Sequence, residues 1–565
     1  MGTKVYPKLK LSQNHEKITL FDIAPNTVGL LELSDLSISF EDYNIDKYIK
    51  NVNEIGLEKT WAHILFHVTY NGCNEFLNPT NFGSLYEAGL AEQDKNNKKK
   101  SGQYYTPSDV SKLMATWLYE LVGLNICDVG CGTGNLILSY LSILKPDDVK
   151  KLLDEERIYL YDFDKTAITI AQYSIVLTYG ISYLSKINVI YGDFLSDKIQ
   201  LPQNSKVISN PPYAKFDGVS DSWINSSIQS NTKEFYAAFM EKIINSRNPA
   251  VIITPYSFLG GSKFLDLRNL LSEFDGFIVA FDNVPGNIFN GRKHGIFNTN
   301  TANSVRAAIT VVQNTNHIKG FRTTPLIRFK NEERDMVLDS EVLKKLLSKK
   351  YQTTNSKSRM FARCHAELED CLENWKSKST TIAKEFISNS QSEYTLYMPN
   401  TCRYFTTASK KKLNRGGFLS VSVDNVDKFN FLYCLINSSF AYWWWRVYDG
   451  GITYPVSLFN SLPIFYDLLT GDDKNFFSQI TSEMIENENK YTVTKMNAGN
   501  IQENIKFPRK YRDALNSRFL RLLSCTSKAS TFDLVHKNSF FGDITEIGED
   551  DWKTEVDWRY STFLF

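Results

Sequence analysis

The chain has 565 residues, 42% of them hydrophobic and 22% charged, with a formal net charge of +1, so neither wholesale disorder nor a membrane-embedded protein is indicated. At that length roughly three or four domains are expected, each able to bury a core. The opening Met1-Gly2-Thr3-Lys4-Val5-Tyr6 lacks the apolar stretch of a signal peptide, and a cytoplasmic protein with no membrane partner is expected.

Residues 1 to 100 read as a mostly helical region without a chemical motif, Trp61 to Phe66 being the most helix-like part. His63 and His67 sit four apart there with no third ligand nearby, which suits packing better than a metal. The eight cysteines form no CxxC pair, so neither a zinc ribbon nor a disulfide framework is expected. The polar, basic run Asp94 to Gly102 marks a first boundary. Gly102-Gln103-Tyr104-Tyr105-Thr106-Pro107 follows, and then Val110, Leu113, Met114, Trp117, Leu118 and Leu121 recur at helical spacing, with Pro107 suited to the helix start.

Ile126 to Asn135, leading into Leu136 to Leu144, reads as strand, tight glycine turn and helix, the first crossover of a nucleotide-binding sheet. Gly130, Gly132 and Gly134 allow positive φ and close backbone approach, while the helix-start amides face a ligand. Dehydrogenases, flavoproteins and methyltransferases share such turns, so the later strands must decide. The apolar run Ile158 to Tyr161 ends in Asp162-Phe163-Asp164, placing a carboxylate where ribose hydroxyls are read. A third strand, Ile187 to Tyr191, ends in Gly192-Asp193-Phe194, offering an acceptor and a ring for adenine. The fourth, Val207-Ile208-Ser209, stops at Asn210-Pro211-Pro212-Tyr213, where two prolines forbid further pairing. The tip left behind suits a flat, amino-bearing base, with amide and carbonyl oxygens for the amine and a ring for stacking. A Pro-Pro turn is the plain alternative, but four successive strands carrying polar residues at their carboxyl ends weigh for a ligand site.

In this order the motifs resemble those of S-adenosylmethionine-dependent amino-methyltransferases of DNA, specifically the gamma-class, TaqI-like N6-adenine group of restriction-modification systems. The resemblance implies an α/β Rossmann-like seven-stranded methyltransferase domain, S-adenosylmethionine as cofactor without a metal, double-stranded DNA as substrate and a separately encoded restriction endonuclease as companion. It places Thr106, flanked by Tyr105 and Pro107, at the methionine end of the cofactor. Asp128 and Gly130 take its centre, with Gly132 and Gly134 in the same turn; Asp162 takes the ribose, and Asp193 with Phe194 the adenine. Asn210 touches both cofactor and base, and its Oδ1 with the Pro211 carbonyl accepts the two N6 protons. Pro212 stiffens that backbone, and Tyr213 stacks on an extruded base. Phe289 is assigned the opposite face, with Phe297 in the same loop a competing choice.

Ala250 to Thr254 reads as a fifth strand, and Phe277 to Phe281 with Ala307 to Val312 as a pair closing the sheet. The expected division is 1–100 helical, 101–330 methyltransferase, and 331–565 a mixed α+β target-recognition domain. From Asn283 to Asn331 there is no carboxylate, and Arg292, Lys293 and Arg306 are read as facing DNA. A second acid-free window, Tyr394 to Val423, supplies Arg403, Lys410, Lys411, Lys412 and Arg415. Phe429 to Arg446 reads as a helical segment whose Trp443, Trp444 and Trp445 are read as packing, since consecutive residues of a helix face different directions. Lys506 to Arg512, Arg518 and Arg521 form a further basic stripe, and Asp543 to Asp557 an acidic section. Two other readings stay open: a modification subunit needing a separate specificity subunit, and an amino methyltransferase acting on RNA or protein glutamine.

Overall fold

The computed structural model describes residues 38–93, 106–216, 225–283, 285–289, 305–315, 318–354, 360–402, 404–497 and 500–536. Tyr105, Arg292, Lys293, Phe297, Arg403 and the acidic section from Asp543 lie outside them. Eight strands form the main sheet: β1 (Asn125–Val129), β2 (Ile158–Asp162), β3 (Asn188–Tyr191), β4 (Ser205–Ser209), β5 (Ala250–Pro255), β6 (Asp275–Phe281), β7 (Ala307–Val312) and β8 (Gly320–Ile327). Their order is β3-β2-β1-β4-β5-β7-β6-β8, with β7 antiparallel to both neighbours and the other pairs parallel. The seven expected strands are present, and β8 joins them beside β6 as an eighth. Its Gly320-Phe321-Arg322-Thr323-Thr324 start carries little apolar alternation, so nothing local announced a strand.

The sheet is buried on both faces, as the continuous apolar runs require. Ile126, Ile208, Val251 and Val279 point into one core, and Cys127, Val129, Val207 and Ile252 into the other. In register, Val129 lies beside both Tyr161 and Ser209. Gly130, Asp162 and Asn210 therefore leave three adjacent strands at one level, roughly 4.8 Å apart from strand to strand.

Three helices, α1 (Ile45–Ile55), α2 (Leu57–Asn71) and α3 (Pro79–Gln93), make up the described part of the N-terminal region. α4 (Ser108–Glu120) and α5 (Asn135–Ile143) flank β1, and α6 (Lys165–Tyr179) follows β2. Tyr48, Trp61, Phe82 and Tyr86 pack with Ile170, Tyr173 and Leu177 of α6, so the N-terminal helices sit on the back of that helix. Gly89 is where α3 crosses its neighbours, because a Cβ there would lie 2.3 Å from Leu57 Cδ1 and from the Tyr48 hydroxyl.

The C-terminal body centres on α7 (Val426–Asn437) and α8 (Ser439–Tyr448). The single expected helix is two, because Ser438 takes an extended conformation and caps the second by accepting a hydrogen bond from Phe440 N at 3.1 Å. Every residue of α8 is buried. Trp443 stacks on Trp375 at 5.8 Å between centroids, and Trp445 Nε1 donates to Thr453 O at 3.0 Å. The tryptophans are core, as their spacing suggested.

The stretch 331–347, expected to open the C-terminal region, lies along α4. Arg334 pairs with Asp109, Trp117 Nε1 donates to Ser340 Oγ at 2.8 Å, and Lys344 meets Glu120 at 2.7 Å. Val337, Leu343 and Leu347 enter the core on one face of the main sheet.

A buried charge cluster joins the sheet to α8. Asp282, at the end of β6, meets Arg306 at 2.8 Å, Arg328 at 3.0 Å and Arg446 at 2.6 Å. Burial pushes the Asp282 carboxyl up, but Arg446, Arg328 and Arg306 outweigh it and hold the group well below the usual carboxylate range. Nearby, Arg446 donates to Leu326 O and Tyr256 Oη to Asp449 O. Gly260 sits so close to α8 that a Cβ would lie 2.1 Å from Tyr448 O.

Candidate active site

The glycine turn does what its sequence suggests. Gly130, Gly132 and Gly134 have φ of 69°, 52° and 84°, conformations that side chains rarely adopt. Gly130 N and Cys131 N donate to Tyr161 O, tying the turn to β2. A Cβ on Gly130 would lie 3.6 Å from Asn210 O and 3.9 Å from Pro211 Cα. The turn therefore rests directly against the Asn-Pro-Pro-Tyr backbone. Gly132 faces open space, and its N–H donates to Asp162 Oδ2 at 2.7 Å.

Two carboxyls lie beneath this turn. Asp128 is fully buried; Oδ2 accepts from Ile137 N at 3.1 Å, and Oδ1 has no hydrogen-bond partner among the described residues. Burial pushes its pKa up to about 8, and that of Asp162 up to about 6. An orphaned buried acceptor, an acid at the neighbouring strand tip and an open glycine cradle fit a nucleoside cofactor carrying a cationic amine.

Thr106, buried at the start of α4, links the cofactor motif to the catalytic one. Asn210 Nδ2 donates to Thr106 Oγ1 at 2.9 Å. Asn135, the residue that stands after the third glycine, donates to the Thr106 carbonyl and to Ser111 Oγ. Pro107 forms the N-cap position of α4. Pro211 is buried, and Pro212 and Tyr213 are half-buried. The Tyr213 ring meets Phe289 edge to face at 6.0 Å and Tyr236 at 6.3 Å, and its hydroxyl donates to Ile253 O at 3.3 Å. Asn210, Tyr213 and Phe289 are thus brought together from β4 and from the loop after β6.

Some expected residues fall elsewhere. Phe194 is 3% exposed, wedged against Tyr161 and Phe239 with Lys242 over its ring, so it is a core residue in this structure. Phe163, directly after Asp162, is 58% exposed. Asp193 Oδ1 accepts from Leu195 N, at the next strand end. Arg306 is buried against Asp282 and so does not face DNA. Lys410, Lys411 and Lys412 are exposed, while Arg415 is half-buried and donates to Asn504 and Thr401. The stripe from Lys506 is largely neutralised: Arg509 and Arg512 meet Asp513, and Arg518 and Arg521 meet Asp473.

Strand order, glycine turn and strand-end acids define an α/β methyltransferase of the Rossmann-like class. A family model for N-6 DNA methylases matches residues 78–384. The chain belongs to the N-6 DNA methylase family. It is 26% identical over 210 residues to the type II methyltransferase M.PstI of Providencia stuartii, covering 34% of this chain and 40% of that one. It is 22% identical over 320 residues to the type I restriction enzyme MpnII methylase subunit of Mycoplasma pneumoniae, covering 51% and 58%. The chain thus spans about half the length of these relatives. Among solved structures, the ATP-dependent type ISP restriction-modification enzyme LlaBIII bound to DNA aligns with 90% of this chain and 52% of its own, at 11% identity and a TM-score of 0.41. Among the described residues no helix is long and apolar enough to cross a membrane.

Proposed function

We propose that this chain transfers a methyl group from S-adenosylmethionine to N6 of an adenine extruded from double-stranded DNA, as the modification enzyme of a restriction-modification system. The observation that carries the reading is the junction of Asn210-Pro211 with the glycine turn, where base and cofactor would meet across Gly130. When bound, the cofactor supplies an electrophilic methyl group on a sulfonium. Asn210 Oδ1 and the Pro211 carbonyl accept the two N6 protons and hold the amine lone pair out of conjugation with the ring. Thr106 Oγ1 accepts from the Nδ2 end of the Asn210 amide, which leaves Oδ1 as the end for the amine. The neutral amine becomes acidic only as it is alkylated, so these residues need no general base among them beforehand. Lys410, Lys411 and Lys412 are the exposed cations assigned to DNA phosphates, with Arg415 bracing their loop. The test offers duplex DNA, RNA and protein in parallel to the purified chain with tritium-labelled cofactor, followed by nucleoside and amino-acid analysis; label in N6-methyladenine of the DNA supports the reading, and label confined to RNA or protein overturns it.

Type I methylase subunits among the relatives favour a second reading, in which a separate subunit supplies sequence specificity. Specific duplex binding by this chain alone decides between the two.

Tyr213 separates stacking from hydroxyl chemistry. Tyr213→Ala is expected to lower turnover by about tenfold or more, the worth of roughly 1–3 kcal/mol per stacked base, whereas Tyr213→Phe keeps the ring, loses the 3.3 Å bond to Ile253 O and stays near wild type. Steady-state kinetics of both variants checks this, and a phenylalanine variant as impaired as alanine contradicts the stacking role.

Cofactor affinity should depend on pH. The Asp128 carboxyl, pushed up to about 8 by burial, is protonated below that pH when the site is empty. A cationic ligand favours the ionised form, so binding below pH 8 must release a proton. Affinity is then expected to fall as pH drops from 8 towards 6, by at most about tenfold per unit. Titration calorimetry in buffers of different ionisation enthalpy measures the proton release; Asp128→Asn should abolish it, and pH-independent binding by the wild type contradicts the assignment.

A further inference from the structure

Arg334 is buried behind the site with its guanidinium divided between two segments that the sequence keeps far apart. Nε and Nη2 donate to the two oxygens of Asp109, at 2.5 and 3.0 Å. Nη1 donates to Asn287 O at 2.8 Å, and Nη2 also to Ile288 O at 2.6 Å. Those carbonyls immediately precede Phe289, whose own N–H donates to Asn287 Oδ1 at 2.9 Å. Asp109 lies in the first turn of α4, three residues after Thr106, and Thr106 in turn orients Asn210. One arginine therefore holds both the segment bearing Phe289 and the helix start that sets Asn210. Lysine could not do the same, because four donations in a fixed fork need a planar guanidinium. At 1% exposure Arg334 reaches neither solvent nor DNA, so a phosphate-binding role is excluded by its place in the fold.

The geometry points to Arg334 and Asp109 as a positioning pair that presents Phe289 to the extruded base, in register with the amide of Asn210. The inference rests on the proposed role of Phe289 and extends it. The bracket takes no part in the chemistry; it sets the distance between the two walls of the base pocket. Removing the charge on Asp109 frees the α4 end of the bracket without opening a cavity. Phe289 then loses its fixed position while the cofactor cradle of Gly130, Gly132 and Asp162, on the other side of Thr106, keeps its own contacts.

The test uses the full chain and a duplex with 2-aminopurine in place of its methylated adenine, whose fluorescence rises on extrusion. It compares Asp109→Asn, Arg334→Lys, Phe289→Ala and the Asp109→Asn/Phe289→Ala double variant. Asp109→Asn is expected to lower the extrusion signal and kcat by about five- to twentyfold, with the affinity for S-adenosylhomocysteine within about twofold of wild type. Arg334→Lys should behave alike. Because Asp109 acts through Phe289, the double variant should be no worse than Phe289→Ala alone. Wild-type extrusion in Asp109→Asn, with Phe289→Ala impaired, overturns the bracket and leaves the Phe289 assignment standing, as does full additivity in the double variant. Unimpaired extrusion in Phe289→Ala overturns the assignment and the bracket with it. Loss of cofactor affinity equal to the loss of kcat in Asp109→Asn shows a general structural role and also overturns the proposal.

Discussion

Asn210→Ala is expected to abolish methyl transfer while cofactor binding persists. The side chain leaves β4 at the level of Gly130 and Asp162, with its amide turned by Thr106 so that the nitrogen end is occupied. In the proposed mechanism alanine removes the acceptor that draws the amine out of conjugation, an interaction whose worth would grow as positive charge develops on the nitrogen. Losing one such preorganised group costs about 100- to 1000-fold in turnover. Asp128 accepts from Ile137 N and Asp162 from Gly132 N, bonds that do not involve the Asn210 side chain, so calorimetry should find cofactor affinity within about threefold of wild type. Full activity in the variant contradicts the mechanism, and joint loss of binding and turnover moves Asn210 from the chemistry to the cradle.

The second large effect is on stability. Asp282→Ala leaves Arg306, Arg328 and Arg446 facing one another inside the protein without the acid between them. Breaking a buried ion pair by removing one partner costs about 3–5 kcal/mol. Here the cost falls on the seam between the sheet and α8, since Arg446 belongs to the C-terminal body. A fall in thermal midpoint on the order of 10 °C is therefore expected, with the C-terminal body becoming protease-sensitive. The wild-type cluster should resist acid, because its one carboxyl, Asp282, is shared by three arginines. Its carboxyl is held below the ordinary range, so the stability it contributes is present above the unfolded-state pKa and is lost only as pH falls through the depressed value. An unchanged melting curve in Asp282→Ala contradicts this account.

These two residues also show where sequence reading reaches and where it stops. β1, β2 and β4 were legible because parallel strands buried on both faces must be continuous apolar runs, and because glycines, acids and prolines interrupt them at one end. The Asn-Pro-Pro-Tyr tip was legible for the same reason. Asp282 was not, because it stands one residue before the acid-free window that began at Asn283. Arg306 looked like a free cation when its counter-charge was just outside the frame. The stripe from Lys506 misled similarly, since Asp473 lies in another helix. Arg334 carried no local signal at all. Its partners, Asp109 and the carbonyls of Asn287 and Ile288, are separated from it by 225 and about 50 positions, and carbonyl contacts leave no trace in side-chain identity. Ser438 was readable in principle, as a serine within a helical run followed by an unbroken apolar stretch is a cap signal.

Single-molecule sequencing of DNA from cells that express this chain alone tests the central claim most directly. The account predicts N6-methyladenine at one defined sequence, present with the wild type and absent with Asn210→Ala. Genomic DNA without N6-methyladenine in cells that express the wild type, or methylation retained at full level by Asn210→Ala, would contradict it.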